Sequence, residues 1–294
     1  MLKRIPLLSI FVFLGLVSVQ VPVSAQALVP YTLQLDSKEL EQQGLNLAQE
    51  AVQLVRFQQY DLAMPRATLA TQLAPKSYQT WFILGSLYVQ DKELDKGIEA
   101  LQRAKSLAPK EAGVFFTLGS ARFQKGDYNA AITELESGLR LKPNVPEALF
   151  DLGNSYYMLK QYPNAIAQYQ KAVTQEKKFW PAINNIGLVK YEQGDVAGAI
   201  KQWQAAVAID DQAAEPILAS AVALYTGGDQ EKALSMGEAA LRIDERYGDL
   251  KFLKENLWGD RLLSDTKKFL EVPRIQAMIA RSQSQPVQVE TAPK

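Results

Sequence analysis

The 294-residue chain contains no cysteine and no histidine. Without cysteine there is no disulfide framework, no thiolate nucleophile, no lipidated thiol and no thiolate metal site. Without histidine there is no Ser-His-Asp triad and no imidazole ligand, so neither a metal nor a cofactor is expected. An excess of charge is missing too. The 32 Lys and Arg balance 32 Asp and Glu, and a chain without a basic surplus is not expected to bind nucleic acid. Carboxylates, Lys, Tyr and Ser are what remain for chemistry. The chain is 47% hydrophobic and 22% charged, which places it among foldable sequences rather than disordered ones.

Long apolar runs are confined to the N-terminus. Residues 1–25 read as a signal peptide or a membrane anchor. Lys3 and Arg4 precede an apolar stretch from Leu7 to Val19, and Val23-Ser24-Ala25 before Gln26 has the small-x-small form of a cleavage site. Residues 5–23 also approach the roughly 20 apolar residues of a bilayer span. Both readings stay open. In either, the basic pair stays inside and the body crosses. The expected location is therefore an exported space (periplasm or thylakoid lumen) or a membrane to which the N-terminus anchors the chain. Residues 26–43 read as a lead-in and the start of the first helix.

From residue 44 to residue 247 the chain repeats itself every 34 positions, in six units: 44–77, 78–111, 112–145, 146–179, 180–213 and 214–247. Three positions of the unit are always small. The eighth holds Ala51, Gly85, Gly119, Gly153, Gly187 and Ala221. The twentieth holds Ala63, Gly97, Ala131, Ala165, Ala199 and Ala233. The twenty-seventh holds Ala70, Ala104, Gly138, Ala172, Ala206 and Ala240. Between them the apolar residues keep helical spacing, as in Trp81, Leu84, Gly85 and Tyr88. Gly126-Asp127, Gly194-Asp195 and Gly228-Asp229 mark a turn inside the unit, and Pro75, Pro109 and Pro143 a turn between units. Two antiparallel helices per unit follow, with the eighth and twentieth positions where they cross.

The unit resembles the tetratricopeptide repeat. Trp81, Leu84, Gly85, Tyr88, Gly97, Leu101, Ala104 and Pro109 carry its signature, and Phe115, Leu118, Gly119, Ala131, Leu135, Gly138 and Pro143 repeat it. Lys177, Asp211 and Glu245 depart from the proline of that pattern. The resemblance implies an all-α, right-handed superhelical α-solenoid of antiparallel helix pairs, closed by C-terminal capping helices. It also implies a protein-binding scaffold rather than an enzyme. Paired carboxylates such as Glu147 and Asp151, one turn apart, have the spacing of a general acid-base pair, but they read as solvated surface.

In this family the first helix of each unit lines a concave groove. Carried over position by position, the resemblance assigns Phe82, Phe116, Phe150 and Asn184 to the fifth position, Phe123, Tyr157, Tyr191 and Tyr225 to the twelfth, and Asn154 and Asn185 to the ninth and sixth. These ten residues form the candidate groove. Arg56 is the lone basic residue at the groove positions, so the basic clamp of repeat proteins that capture a C-terminal carboxylate is missing. Aromatic rings interleaved with asparagine fit an apolar peptide or the amphipathic helix of a protein partner. The rival expectation is that aromatics at helical spacing are core.

After Tyr247 the small columns stop. Residues 248–281 read as capping helices, with Ser264 or Asp265 as the cap of a short helix through Leu270 and Pro273 starting another. Residues 282–294 are polar and read as a disordered tail. The run Leu253-Lys254-Glu255-Asn256-Leu257-Trp258-Gly259-Asp260-Arg261-Leu262-Leu263 is similar to endings of cyanobacterial repeat proteins, which implies work in assembling a photosynthetic membrane complex. A periplasmic adaptor for envelope assembly is the alternative.

Overall fold

Six helix pairs follow one another at the repeat spacing in the computed structural model, which describes residues 36–284. The pairs are α1 (Ser37–Arg56) with α2 (Tyr60–Leu73), α3 (Tyr78–Gln90) with α4 (Leu94–Leu107), and α5 (Ala112–Lys125) with α6 (Tyr128–Leu141). They continue as α7 (Pro146–Met158) with α8 (Tyr162–Gln175), α9 (Trp180–Glu192) with α10 (Val196–Val207), and α11 (Ala214–Thr226) with α12 (Gln230–Ile243). A 3-10 turn at Glu245–Gly248 leads to α13 (Leu250–Glu255), α14 (Asp260–Leu270) and α15 (Pro273–Ser284). No strand occurs among the described residues. The proposed signal peptide or anchor lies outside them, and no described helix is long and apolar enough to cross a membrane.

The small columns let the paired helices close. A methyl group on Gly85 would come within 2.7 Å of Leu101 Cγ and 3.1 Å of the Gly97 carbonyl. One on Gly97 would meet Val89 Cγ2 at 2.7 Å and the Gly85 carbonyl at 3.1 Å. The backbones themselves therefore touch at the crossing, as the eighth and twentieth positions require. Over each eighth-position glycine rises the side chain of the twenty-fourth position. It is Leu101 over Gly85, Leu135 over Gly119, Tyr169 over Gly153 and Trp203 over Gly187. All four are fully buried, and each contributes about 1.5–3 kcal/mol of burial.

Turns end the first helices in two ways. Gly126, Gly194 and Gly228 take positive φ of 87°, 89° and 96°, where a Cβ would be strained. Lys92 and Lys160 accept the same turn at φ of 63° and 57°. First helices also touch one another across units, α1 on α3, α3 on α5 and α5 on α7. They form the inner face of the stack.

The C-terminal region departs from a plain cap. The helical spacing from Asp249 to Leu257 yields only the short α13, because Leu257 turns the chain at φ 65°. The chain then runs back, and α14 packs on α9 and α11, the first helices of the fifth and sixth units. α15 lies against α12 and the 3-10 turn and closes the end. It extends through Ser284, so the first three residues of the expected tail are helical. Residues 285–294 lie outside the described residues.

Candidate functional site

The ten candidate groove residues fall into two groups. Asn154, Asn184, Asn185, Tyr157 and Tyr191 are buried. Phe82, Phe116, Phe123, Phe150 and Tyr225 are half-buried.

The asparagines assigned to the groove act as fasteners between helices. Asn154 Oδ1 accepts the Tyr169 hydroxyl at 2.8 Å and Asn185 Nδ2 at 2.9 Å. Asn184 Nδ2 donates to Asn185 Oδ1 at 3.1 Å, and the Asn184 carbonyl accepts Trp203 Nε1 at 3.2 Å. The cause lies in the twenty-fourth position. Where that residue is Leu101 or Leu135 nothing polar is buried, and the ninth position holds Ser86 or Ser120. Where it becomes Tyr169 a buried hydroxyl needs an acceptor, and Asn154 supplies it.

Two phenylalanines of the fifth position turn onto their own unit. The ring of Phe116 lies on Gly138, where a methyl group would meet it at 2.5 Å. Phe150 packs on Tyr169, with ring centres 5.7 Å apart, and edge-on against Phe179 at 5.5 Å. Phe82 packs on the cluster of Ile98, Leu101 and Leu118. The fifth-position row is thus mainly packing between helices. The spacing that suggests a ladder is the spacing that builds a core.

At the twelfth position the rows divide. In the last two units α14 covers the rings. The Tyr191 hydroxyl donates to Asp265 at 2.8 Å, and the Arg261 guanidinium lies 5.0 Å from the Tyr191 ring centre while donating to its carbonyl at 3.2 Å. Burial pushes the Tyr191 phenol up to about 12, and Asp265 adds to the shift. Tyr225 meets Phe269 edge-on at 5.4 Å. The Glu192 carboxylate accepts the backbone N–H groups of Arg261 and Leu262 at 3.2 and 3.0 Å. It caps α14 from another element. That places the helix start at Asp260, upstream of the expected caps, so Ser264 and Asp265 lie in the helix interior.

In the third and fourth units the same position borders a cleft. Phe123 and Tyr157 line a cleft of about 760 Å³. Its opposite wall is the chain from Lys254 to Leu263, including Trp258. Phe123 leans on Tyr128, with ring centres 5.4 Å apart, and Tyr157 on Tyr162 at 5.9 Å. The Tyr157 hydroxyl has no hydrogen-bond partner.

Two carboxyls near the inner face titrate abnormally. Burial raises Asp151 to about 6, and neighbouring Glu147 adds to it. Asp151 is therefore not the freely solvated side chain its sequence suggests. Burial raises Glu215, at the start of α11, to about 7, partly offset by hydrogen bonds from Trp258 and Asn184. Trp258 Nε1 donates to it at 2.9 Å. No cluster of metal-ligating side chains occurs among the described residues.

What sequence reasoning missed is α14 as an occupant of the inner face. Its signal was present in the periodicity of Leu262, Thr266 and Phe269, all fully buried, but the sequence held nothing to say which surface they would meet.

Models of the tetratricopeptide repeat match residues 78–111, 146–179 and 184–247, and a further repeat model of the same family matches 119–160. No curated protein matches the chain in sequence. Among solved structures, PilW, described as a widely conserved type IV pilus biogenesis factor, is 20% identical with a TM-score of 0.64, covering 73% of this chain and 98% of its own. The pilF protein of Pseudomonas aeruginosa is 16% identical with a TM-score of 0.61, covering 75% and 98%. YrrB, described as having an unusual peptide-binding site, is 21% identical with a TM-score of 0.50, covering 69% and 97%. At these identities the likeness is one of fold.

Proposed function

The chain belongs to the tetratricopeptide repeat family, whose members are protein-interaction scaffolds, and from that premise we propose that it captures an apolar or amphipathic helical segment of a client on its inner face without catalysing a reaction. One observation carries this reading. The chain's own amphipathic helix, α14, lies on the first helices of the fifth and sixth units, with Leu262, Thr266 and Phe269 turned inward. The inner face is therefore chemically suited to a helix of that kind, and its unfilled stretch in the earlier units is available to another.

The client we propose is a subunit of a membrane complex during its assembly, and the photosynthetic membrane is the first place to look. The apolar segment at residues 5–23 and the Lys3-Arg4 pair support an exported or membrane-anchored location. A second reading, an envelope-assembly adaptor in the periplasm, draws on the fold likeness to PilW. Both share the mechanism and differ in the client.

The test is affinity capture from gently solubilised membranes, with the retained proteins identified by mass. Ser86→Arg with Ser120→Arg puts two bulky cations on the first helices α3 and α5. Gln102→Arg, exposed on α4, is the control. Clients lost with the paired variant and kept with the control place binding on the inner face and name the pathway. Clients kept by both would remove the groove from the mechanism.

A further inference from the structure

α14 engages two successive units through residues one turn apart. Asp265 takes the hydroxyl of Tyr191, and Phe269 takes the ring of Tyr225. Two units earlier, Phe123 and Tyr157 hold the same position of the repeat and line the open cleft. The Tyr191 hydroxyl is satisfied by Asp265, whereas the Tyr157 hydroxyl, in a residue only 6% exposed, has no partner. The turn glycines show the same contrast. Arg261 lies 3.0 Å from the place a methyl group on Gly194 would take, while Gly126, its equivalent in the third unit, faces open space.

Resting on the groove-binding reading above, we propose that the cleft of the third and fourth units is a second seat of the α14 kind, taking an amphipathic helix of a partner protein that presents an apolar side chain to Phe123 and, one turn later, an Asp or Glu to Tyr157. Three features of the cleft specify that occupant. The far wall is the start of α14 itself, so a second helix there continues a surface already used for helix packing. Phe123 offers no polar group and asks for an apolar neighbour, whereas Tyr157 asks for an acceptor. The rim leaves two cations for a negative side chain. It carries Lys92, Lys160 and Lys254 beside Glu192, Glu255 and Asp260; Glu192 is committed to the N–H groups of Arg261 and Leu262, Asp260 pairs with Lys160 at 3.5 Å and Glu255 with Lys251 at 4.0 Å, which leaves Lys92 and Lys254. A hydrogen bond from a buried hydroxyl to a carboxylate is among the stronger neutral-to-charged contacts.

The experiment uses the full chain and a fluorescein-labelled peptide of residues 258–272, which contains the α14 sequence. Fluorescence anisotropy is titrated against wild type, Tyr157→Phe and Tyr191→Phe, with circular dichroism confirming that each variant keeps its helix content. Saturable binding is expected, about ten-fold weaker for Tyr157→Phe and unchanged within two-fold for Tyr191→Phe. A peptide with Asp265→Asn is expected to lose about the same factor against wild type and little further against Tyr157→Phe, because both changes remove one contact. Absence of binding, or binding that ignores Tyr157→Phe, overturns the proposal. So does binding lost with Tyr191→Phe alone, since the peptide is then exchanging with the chain's own helix. Client capture that is blocked by the Ser86 and Ser120 changes while the peptide ignores Tyr157 leaves the groove reading standing and removes this seat.

Discussion

The ring of Phe269 lies directly on Gly237, so close that a methyl group on that glycine would stand 2.4 Å from Cζ. Gly237 is the twenty-fourth residue of the last repeat, the position that holds Leu101, Leu135, Tyr169 and Trp203 in earlier units. There the repeat places no side chain of its own, and a fully buried ring from α14 packs against the bare backbone. The last unit is thereby joined to the C-terminal segment by the same kind of large apolar side chain that elsewhere holds a unit's two helices together.

Phe269→Ala is therefore expected to cost about 3–5 kcal/mol, and to do so locally. In a stacked repeat each unit depends chiefly on its neighbours. Hydrogen exchange should rise in α11, α12, α14 and α15 while α3–α6 keep their protection. Uniform loss of protection along the stack would show instead that the molecule unfolds as one unit.

The asparagine network sets a second expectation. Asn154→Ala leaves the Tyr169 hydroxyl buried without an acceptor, at about 1–3 kcal/mol. In a Tyr169→Phe background the same change should cost less, because the hydroxyl that needed an acceptor is gone. Denaturant midpoints of the four proteins measure the coupling. Strict additivity would mean that the 2.8 Å contact contributes nothing.

How far the sequence could be read follows from the same residues. The solenoid was legible because the paired helices leave little or no room at the eighth and twentieth positions, and that constraint recurs in every unit as Ala or Gly. The groove was only partly legible. Phe116 and Phe150 share a period with the other groove candidates, but that period records a helix face and not which neighbour covers it. Asn154 reads as exposed until Tyr169 is seen to need it. The α14 contacts were illegible for another reason. Tyr191 and Asp265 stand 74 residues apart, and the cap of α14 comes from Glu192 rather than from a residue beside it.

Glu215 makes stability depend on pH. Its carboxyl is raised by burial from 4.5 to about 7, so between those values the folded chain holds a proton that the unfolded chain has released. Folding is favoured by that proton, and the advantage falls as pH rises from about 4.5 through about 7. The whole difference is on the order of 3 kcal/mol. Asp151, raised to about 6, acts in the same direction over a lower range. Glu215→Gln should keep an acceptor for Trp258 Nε1 and flatten the dependence above pH 6. Thermal midpoints at pH 5.5, 6.5 and 7.5 decide the matter. An unchanged slope in the variant would place the effect elsewhere.

Glu192 holds the start of α14 by accepting two backbone N–H groups that no residue of α14 itself can satisfy. Such groups at a helix N-terminus carry partial positive charge, and an anion there is worth about 0.5–2 kcal/mol. Glu192→Gln retains an acceptor oxygen and should lose only part of this. Glu192→Ala loses all of it, and should raise exchange at Arg261 and Leu262 above that at Phe269, which its burial against Gly237 still holds. The order matters for function. The Glu192 end of α14 is also the wall of the open cleft, so loosening it should alter peptide binding there while leaving the Phe269 end in place. If both ends of α14 exchange together in Glu192→Ala, the helix is a single cooperative element and its two anchors cannot be tuned apart.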